Sequence, residues 1–311
     1  PLTPTNFNLK ACSTQGSSAV QPIKIDSHGM YVQGGGTRVF ELEFSNETYD
    51  YTSVDATLFV PEIGGALGTD THIVRMGVQR QPDTRVHCVR SDGVVALLVY
   101  DKAENVMAWQ TVSTDGNIED VVILPAQTGA REDQVYYAVA RTVSGSTVRY
   151  LEKWADEADC IGGTLNKQAD SFITFTNSPE SATVIGLTHL IGETVVCWHD
   201  GICEEDANGD IQTYVVSGAG EITLNDLATT GIVGLAYDAQ WQSAFLGQQL
   251  LPRKRIVDLG LFLINTHPRG LLFGPTLTAA DTDNLPLVLD GAPVDTDVIY
   301  SSYEPEPIPF P

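Results

Sequence analysis

Positive charge is what this sequence has least of: 17 lysines and arginines stand against 40 aspartates and glutamates in 311 residues, a formal net charge of −23. Affinity for nucleic-acid phosphate needs clustered basic groups that release counterions, so a surface of this composition excludes ordinary nucleic-acid binding. Cysteine is sparse as well. Cys12, Cys88, Cys160, Cys197 and Cys203 are odd in number and include no C-x-x-C, which argues against both a fully paired disulfide framework and a zinc site and fits a reducing compartment. No apolar run approaches the roughly 18 residues of a membrane helix, and no basic-then-apolar leader opens the chain, so no membrane insertion is expected. A G-x-S-x-G elbow is missing, and the triple glycine Gly34-Gly35-Gly36 lacks the Lys-Ser/Thr of a phosphate cradle, leaving it as a hairpin loop.

Present in quantity are short apolar alternations broken by turn dipeptides. After a small, polar stretch from Leu2 to Lys24, strands are expected at 23–25, 30–33, 38–44, 73–79, 85–90, 94–100, 106–112, 118–124, 134–143 and 147–154. A single helical turn is expected over 55–62. In 38–44, Phe40, Leu42 and Phe44 alternate with Val39, Glu41 and Glu43, which predicts a half-buried strand. Turn chemistry separates the strands at Gln81-Pro82-Asp83, Ser91-Asp92-Gly93, Thr114-Asp115-Gly116 and Ser144-Gly145-Ser146. This spacing suggests a sandwich, barrel or propeller, and about three propeller blades fit into residues 1–155, fewer than the roughly four to eight of a closed propeller. The remaining blades are expected upstream of Pro1. The alternating prolines of Glu304 to Pro311 read as an extended segment, so both ends are expected to be fragment ends.

Composition turns acidic and small over 155–177, which places a domain boundary there. The fold class expected is all-β: a partial propeller-like hub (1–155), a small barrel or sandwich (156–250), and closing strands with a proline-rich end (251–311). The second region is organised around 182–201, read as a hairpin in which Thr183 to Ile185 turns through Gly186 and Gly192 into Thr194 to Trp198, with Asp200-Gly201 turning the chain again. Further strands are expected at 211–216, 221–224 and 232–237. The nearly continuous apolar stretch 250–265 reads as a buried strand because of its β-branched residues and flanking prolines, and 271–273, 285–289 and 298–300 would complete its sheet.

Several residue sets invite chemistry and are weighed against plainer readings. Cys197, His199 and Cys203 form C-x-H-x3-C, but Cys203 lies beyond the Gly201 turn and no fourth ligand is near in sequence. Glu204 to Asp210 has the look of a calcium loop, yet the twelfth residue from Asp206 is Ser217 rather than a bidentate glutamate, and Asn208-Gly209 reads as a hairpin turn. His189 and His199 lack a reactive serine or cysteine in recognisable context. Glu41 with Glu43, or Glu119 with Asp120, could pair as glycosidase carboxylates, but a solvated strand face accounts for them. Asn46-Glu47-Thr48 is a glycosylation sequon with no secretory context. Trp109, Trp154, Trp198 and Trp241 are scattered and read as core or interface anchors rather than a sugar platform. No residue is therefore assigned a catalytic, cofactor-binding or metal-ligating role, no cofactor is expected, and the chain is not read as an enzyme.

The segment Gly186-Leu187-Thr188-His189-Leu190-Ile191-Gly192-Glu193-Thr194-Val195, followed by Asp200-Gly201, resembles a signature of tail nozzle (tail tubular B-like) proteins of short-tailed bacteriophages, with Thr188 and Ile191 departing from that family's usual acidic residues. Leu98-Val99-Tyr100 to Trp109 with Thr114-Asp115-Gly116, then Val148-Arg149-Tyr150-Leu151-Glu152-Lys153, and finally Arg253-Lys254-Arg255-Ile256 resemble further family segments in the same order. The resemblance implies a structural virion protein with a propeller-like hub. It would be a subunit of a ring, a hexamer in this family, that extends the DNA channel for genome retention and ejection. Tail adaptor or portal and tail fibre proteins would be its neighbours, and assembly would take place in the host bacterial cytoplasm. DNA would pass without specific binding, which suits an acidic wall. The alternative from another class is a carbohydrate-binding or carbohydrate-cleaving propeller of a phage tail, acting in receptor binding.

Overall fold

The structure is a computed structural model, and it describes residues 3, 11–66, 68–207, 210–243, 258–278, 281–286, 288–289, 291–295, 299–300 and 308–309. The chain divides into two compact units, Pro1–Trp154 and Ala155–Pro311. Among the described residues the protein is all-β, with antiparallel sheets and no α-helix; its short 3-10 turns include Glu157–Asp159 and Thr188–Leu190.

In the first unit three antiparallel meanders follow one another. The first sheet is β1 (Ile23–Ile25), β2 (His28–Val32), β3 (Val39–Ser45) and β4 (Asp50–Asp55). The second is β5 (Ile73–Gln79), β6 (Arg85–Arg90), β7 (Val95–Asp101) and β8 (Val106–Val112), and the third is β9 (Asn117–Leu124), β10 (Gln134–Val143) and β11 (Ser146–Lys153). Sheet-side alternation gives the second sheet two buried faces. Val86, Cys88, Ala96 and Leu98 pack with Met30, Val32 and Val39 of the first sheet, while Val89 and Val95 pack with Val121, Val135 and Val139 of the third. The first strands adjoin in succession, β1 beside β5 and β5 beside β9.

Residues 55–62 form no helical turn. The Asp55 carboxylate accepts the N–H and hydroxyl of Thr57 at 2.8 and 2.7 Å, and the Trp109 indole donates to Ala56 O at 2.9 Å. The indole bond takes the Ala56 carbonyl that a helix would use, and the backbone instead makes separate turns, Val60 N–H to Thr57 O at 3.1 Å and Ile63 N–H to Val60 O at 3.0 Å. In β3 the polar set faces inward: Val39 and Glu41 are buried against the second sheet while Phe44 is 50 % exposed. Glu41 therefore does not sit on a solvated face.

The second unit is built on one sheet ordered β12 (Asp170–Ile185), β16 (Glu221–Leu235), β13 (Thr194–His199) and β14 (Ile202–Cys203), with β15 (Thr213–Val215) on β13. Its core includes Phe175, Val184, Leu187, Leu190, Val195 and Val233. The segment 182–201 is not a hairpin between its two strands, because β16 lies between β12 and β13 and pairs with both. Buried Leu187 and Leu190, rather than a tight turn, direct the connection across the end of β16, where Leu187 N–H meets Gly220 O at 2.9 Å. The Asp200-Gly201 turn does form a tight hairpin, with φ of 49° and 95°, the left-handed pair such turns require. β12 begins thirteen residues earlier than the strand expected from Thr183, and a bulge between Thr176 and Ser181, around Pro179, hides its continuity in the sequence. The expected strands 221–224 and 232–237 are one, β16.

Toward the C-terminus the expected single closing sheet appears as separate two-stranded ladders: β17 (Asp258–Leu259) with β22 (Ile308–Pro309), β18 (Leu272–Phe273) with β19 (Asp283–Asn284), and β20 (Val288–Leu289) with β21 (Ala292–Pro293). Of the expected buried strand 250–265, residues 250–257 lie outside the described residues. Phe262 and Ile264 are 64 % and 63 % exposed, so 261–265 is not a buried strand.

Candidate functional site

Two polar clusters stand out against the apolar interiors. The first lies where the first two sheets of the first unit meet. His28 opens β2, Glu41 and Glu43 share one face of β3, Tyr100 comes from β7, and Lys102 from the turn that follows. Glu41 Oε1 accepts the Tyr100 hydroxyl at 2.7 Å. The Lys102 ammonium donates to Glu43 Oε2 at 2.7 Å and to the two Glu41 oxygens at 3.3 and 3.5 Å, and His28 Nδ1 lies 3.1 Å from Glu41 Oε1. The ligand atoms of His28, Glu41 and Glu43 all fall within 4.8 Å of one another, a spacing that a metal ion could bridge. Lys102 already supplies the cation. Burial pulls its pKa down, but the hydrogen bonds and charges of Glu43 and Glu41 more than offset that and hold it above the ordinary lysine value. Burial first, and then Glu41 and Glu43, raise the Tyr100 phenol. Two carboxylates shared by one ammonium form an ion-pair network, and neither is free to act as the acid or nucleophile of glycoside cleavage.

The second cluster is in the second unit, beside the Asp200-Gly201 hairpin. Glu204 is buried, and its carboxylate accepts four bonds: from His199 Nε2 at 3.0 Å, from the Asn225 and Asp226 N–H groups at 3.1 Å each, and from the Tyr214 hydroxyl at short range. Burial opposes its ionisation, yet these donors outweigh burial and keep its pKa below the usual glutamate value. Asp200 accepts the N–H groups of Thr229 and Thr230 at 2.9 and 3.1 Å. The cluster fastens β13, β15 and β16 to the hairpin turn.

The other weighed residues fall as follows. Trp198 pairs with Cys203 across the hairpin, so Cys203 shares the Trp198 face while Cys197 and His199 are on the opposite one. C-x-H-x3-C therefore does not converge. Burial raises both thiols, Cys203 to about 11, and neither Cys197 nor Cys203 is in a disulfide. In the calcium-like loop, Glu204 turns inward and Asp206 caps the loop with a bond from Asp210 N–H at 3.0 Å; Asn208-Gly209 lies outside the described residues. His189 bonds to Ser171 O at 2.9 Å, far in role from any nucleophile. Glu119 pairs with Arg149 and Asp120 with Arg75. Asn46-Glu47-Thr48 is exposed. Trp109 bonds to Ala56 O and Trp198 to Gly163 O, Trp154 packs edge-on to His87 and Tyr137, and Trp241 is 82 % exposed.

Sequence reasoning missed two buried groups. Arg141 donates to both oxygens of Glu152 at 2.7 and 2.8 Å, to Thr114 Oγ1 at 2.7 Å, and to Asp115 O. His87 lies between the Tyr137 hydroxyl at 2.7 Å and Gln79 Oε1 at 3.2 Å. The signal for Arg141 was a lone basic residue inside an otherwise apolar strand, and for His87 a histidine flanked by Val86 and Cys88 in a strand with an arginine at each end. Gly116, beside the Arg141 site, has φ of 143°, and a Cβ there would sit 2.7 Å from Ala140 O, so only glycine fits. Compared with known proteins, the chain matches no family model and no curated protein.

Proposed function

We propose that this chain is a structural subunit of a short-tailed phage tail, one copy in a nozzle or tail-tube ring around the DNA path. Its first unit would be part of a propeller-like hub and its second a small barrel or sandwich. The observation that carries this reading is where the resembling segments sit. Among the described residues they are frame residues in both units: Leu98 and Leu187 are buried, Tyr100 bonds to Glu41 of the first sheet, and Trp109 to Ala56 O just past that sheet's last strand. Thr114, Asp115 and Glu152 converge on Arg141, and Asp200 braces β16. Arg253 to Ile256 lies outside the described residues. A sequence whose signatures maintain a scaffold suits an assembly protein better than a catalyst. The succession of β1, β5 and β9 supports a propeller-like hub, since blades around an axis place their first strands side by side. On this reading the protein is not an enzyme and takes no cofactor. It forms a ring, a hexamer by the family resemblance, between an adaptor or portal and the tail fibres of the virion.

The test is the mass of the particle, by light scattering of the purified chain alone and with tail partners, together with a low-resolution image. A closed ring in either state is expected. A strict monomer in both states, with binding to host-surface glycans on an array, would transfer the reading to the receptor-binding propeller.

A further inference from the structure

His28, Glu41 and Glu43 form a group that Lys102 accounts for only in part. Met30 pairs with Glu41 across β2 and β3, and the same register carried two residues further sets His28 beside Glu43. Alternation then raises all three side chains from one face of two adjacent strands, with their ligand atoms within 4.8 Å of one another. The Lys102 ammonium is 2.7 Å from Glu43 Oε2 but 3.3 and 3.5 Å from the Glu41 oxygens, so its short bond goes to the more exposed carboxylate. Glu41 is 1 % exposed, and its own short bond is from the Tyr100 hydroxyl at 2.7 Å.

His28 Nδ1 is the atom that an ion-pair network leaves unexplained. It faces the carboxylates, 3.1 Å from Glu41 Oε1 and 3.9 Å from Glu43 Oε2. The nitrogen is buried, yet among the described residues it makes no hydrogen bond. The two atoms of a hydrogen bond point at each other, whereas two ligands of one ion point past each other at a common centre. Bonds of about 2.0–2.1 Å in a tetrahedron set ligand atoms about 3.3 Å apart, and the 3.1 and 3.9 Å separations bracket that spacing. One imidazole nitrogen with two carboxylate oxygens suits a transition ion such as Zn²⁺ rather than Mg²⁺ or Ca²⁺, which prefer oxygen alone. The group also has a way in, since the Lys102 side chain is 48 % exposed. The turn that carries it is held by its own bonds, Asp101 accepting the Ala103 and Glu104 N–H groups at 2.9 and 3.1 Å, so the ammonium can leave without unmaking the turn.

We infer that His28, Glu41 and Glu43 bind a divalent transition ion of the Zn²⁺ kind, and that Lys102 is the resident cation this ion displaces. The ammonium neutralises one of the two carboxylate charges. The ion neutralises both, takes the imidazole nitrogen as well, and cross-links β2 to β3 while Lys102 turns to solvent. Three protein ligands leave its fourth position to water. The inference does not depend on the phage-tail reading, since it rests on these side chains of the first unit alone.

Calorimetric titration of the full chain with Zn²⁺, with Mg²⁺ as the control, is the test, together with visible spectroscopy of the chain loaded with Co²⁺. The parent is expected to bind Zn²⁺, to melt at higher temperature in its presence, and to ignore Mg²⁺. Co²⁺ should give the visible bands of a four-coordinate ion without the near-ultraviolet band of a thiolate ligand, which separates this group from the cysteines. His28→Gln should weaken Zn²⁺ binding by about tenfold or more, since losing a ligand costs at least what losing an outer partner of a ligand does. His28 is partly exposed, so this variant is expected to melt like the parent by circular dichroism; Glu43→Gln serves if it does not. Lys102→Met keeps the side-chain stem and removes the competing charge, and should tighten binding by about tenfold or more. No Zn²⁺ binding by the parent, binding unchanged by loss of the ligand, or a Co²⁺ spectrum of thiolate ligation overturns the inference. So does binding seen only in Lys102→Met, because the ammonium then excludes the ion from the natural chain. Equal affinity in the parent and Lys102→Met overturns it too, because the lysine is then not displaced. None of these results depends on whether the chain forms a ring.

Discussion

Buried ionisable groups set the local logic of both units. Arg141 is held by a bidentate carboxylate, a hydroxyl and a carbonyl, and Glu204 by four donors. Each of these charges is matched, which is what makes its burial tolerable. His87 is different, for burial first and then the nearby charge of Arg85 lower its pKa to about 3. Its folded value lies below the unfolded value of about 6.5, so as pH falls the unfolded chain takes up the proton first. The stability it contributes is complete above pH ~6.5 and drains away between there and pH ~3, at no more than about 1.4 kcal/mol per pH unit. Denaturant unfolding at a series of pH values through this window should show that acid slope. His87→Gln, which cannot take up the proton, should flatten it while lowering stability at neutral pH. An unchanged slope in the variant would assign the acid sensitivity to other groups.

At the level of elements, the existence of most first-unit strands was legible, β4 excepted; in the second unit the first half of β12 was missed, and in neither was strand partnership legible. The strands 73–79, 85–90, 106–112 and 134–143 match β5, β6, β8 and β10 residue for residue, because each is an apolar alternation closed by turn residues. The segment 182–201 misled because a glycine-flanked turn between two apolar runs looks the same whether the runs pair or another strand separates them. Glu41 misled because a carboxylate is read as solvated until its lysine, 61 residues away, comes into view. Pairing also grades stability. Gly231, Ile232 and Val233 of β16 are paired on both sides, to β12 and β13, whereas the C-terminal ladders are two-stranded and two residues long. Isolated two-stranded pairs are marginal in water. Native-state hydrogen exchange should therefore find the 231–233 amides among the slowest and those of Leu272 and Phe273 among the fastest of the described strands. Equal protection of the two would mean that the ladders are covered.

For the whole molecule the governing quantity is the net charge of −23. In a DNA conduit, phosphate contacts would act as brakes, since each lysine or arginine contact deepens a salt-dependent trap. Like charge also opposes self-association, so in the proposed ring subunit contacts would fall to apolar and hydrogen-bonded surface while the acidic groups would face solvent or lumen. The chain should show no mobility shift of duplex DNA even at about 20 mM salt, where a Debye length near 20 Å favours any attraction. Micromolar binding there would contradict the conduit reading.

By itself, the sequence determined the class of the fold, the places where most strands of the first unit begin and end, and the sign of the electrostatic field. Those depend on periodicity, turn chemistry and composition, which are local or additive. Only the tertiary structure decided that β16 separates β12 from β13, that Glu41 faces inward onto Lys102, and that Cys203 and Cys197 lie on opposite faces of one hairpin. It alone brought Thr114, Asp115 and Glu152 to Arg141. Each of those outcomes depends on which distant strand supplies the missing hydrogen bond or counter-charge, and the residues of a single strand carry no record of that partner.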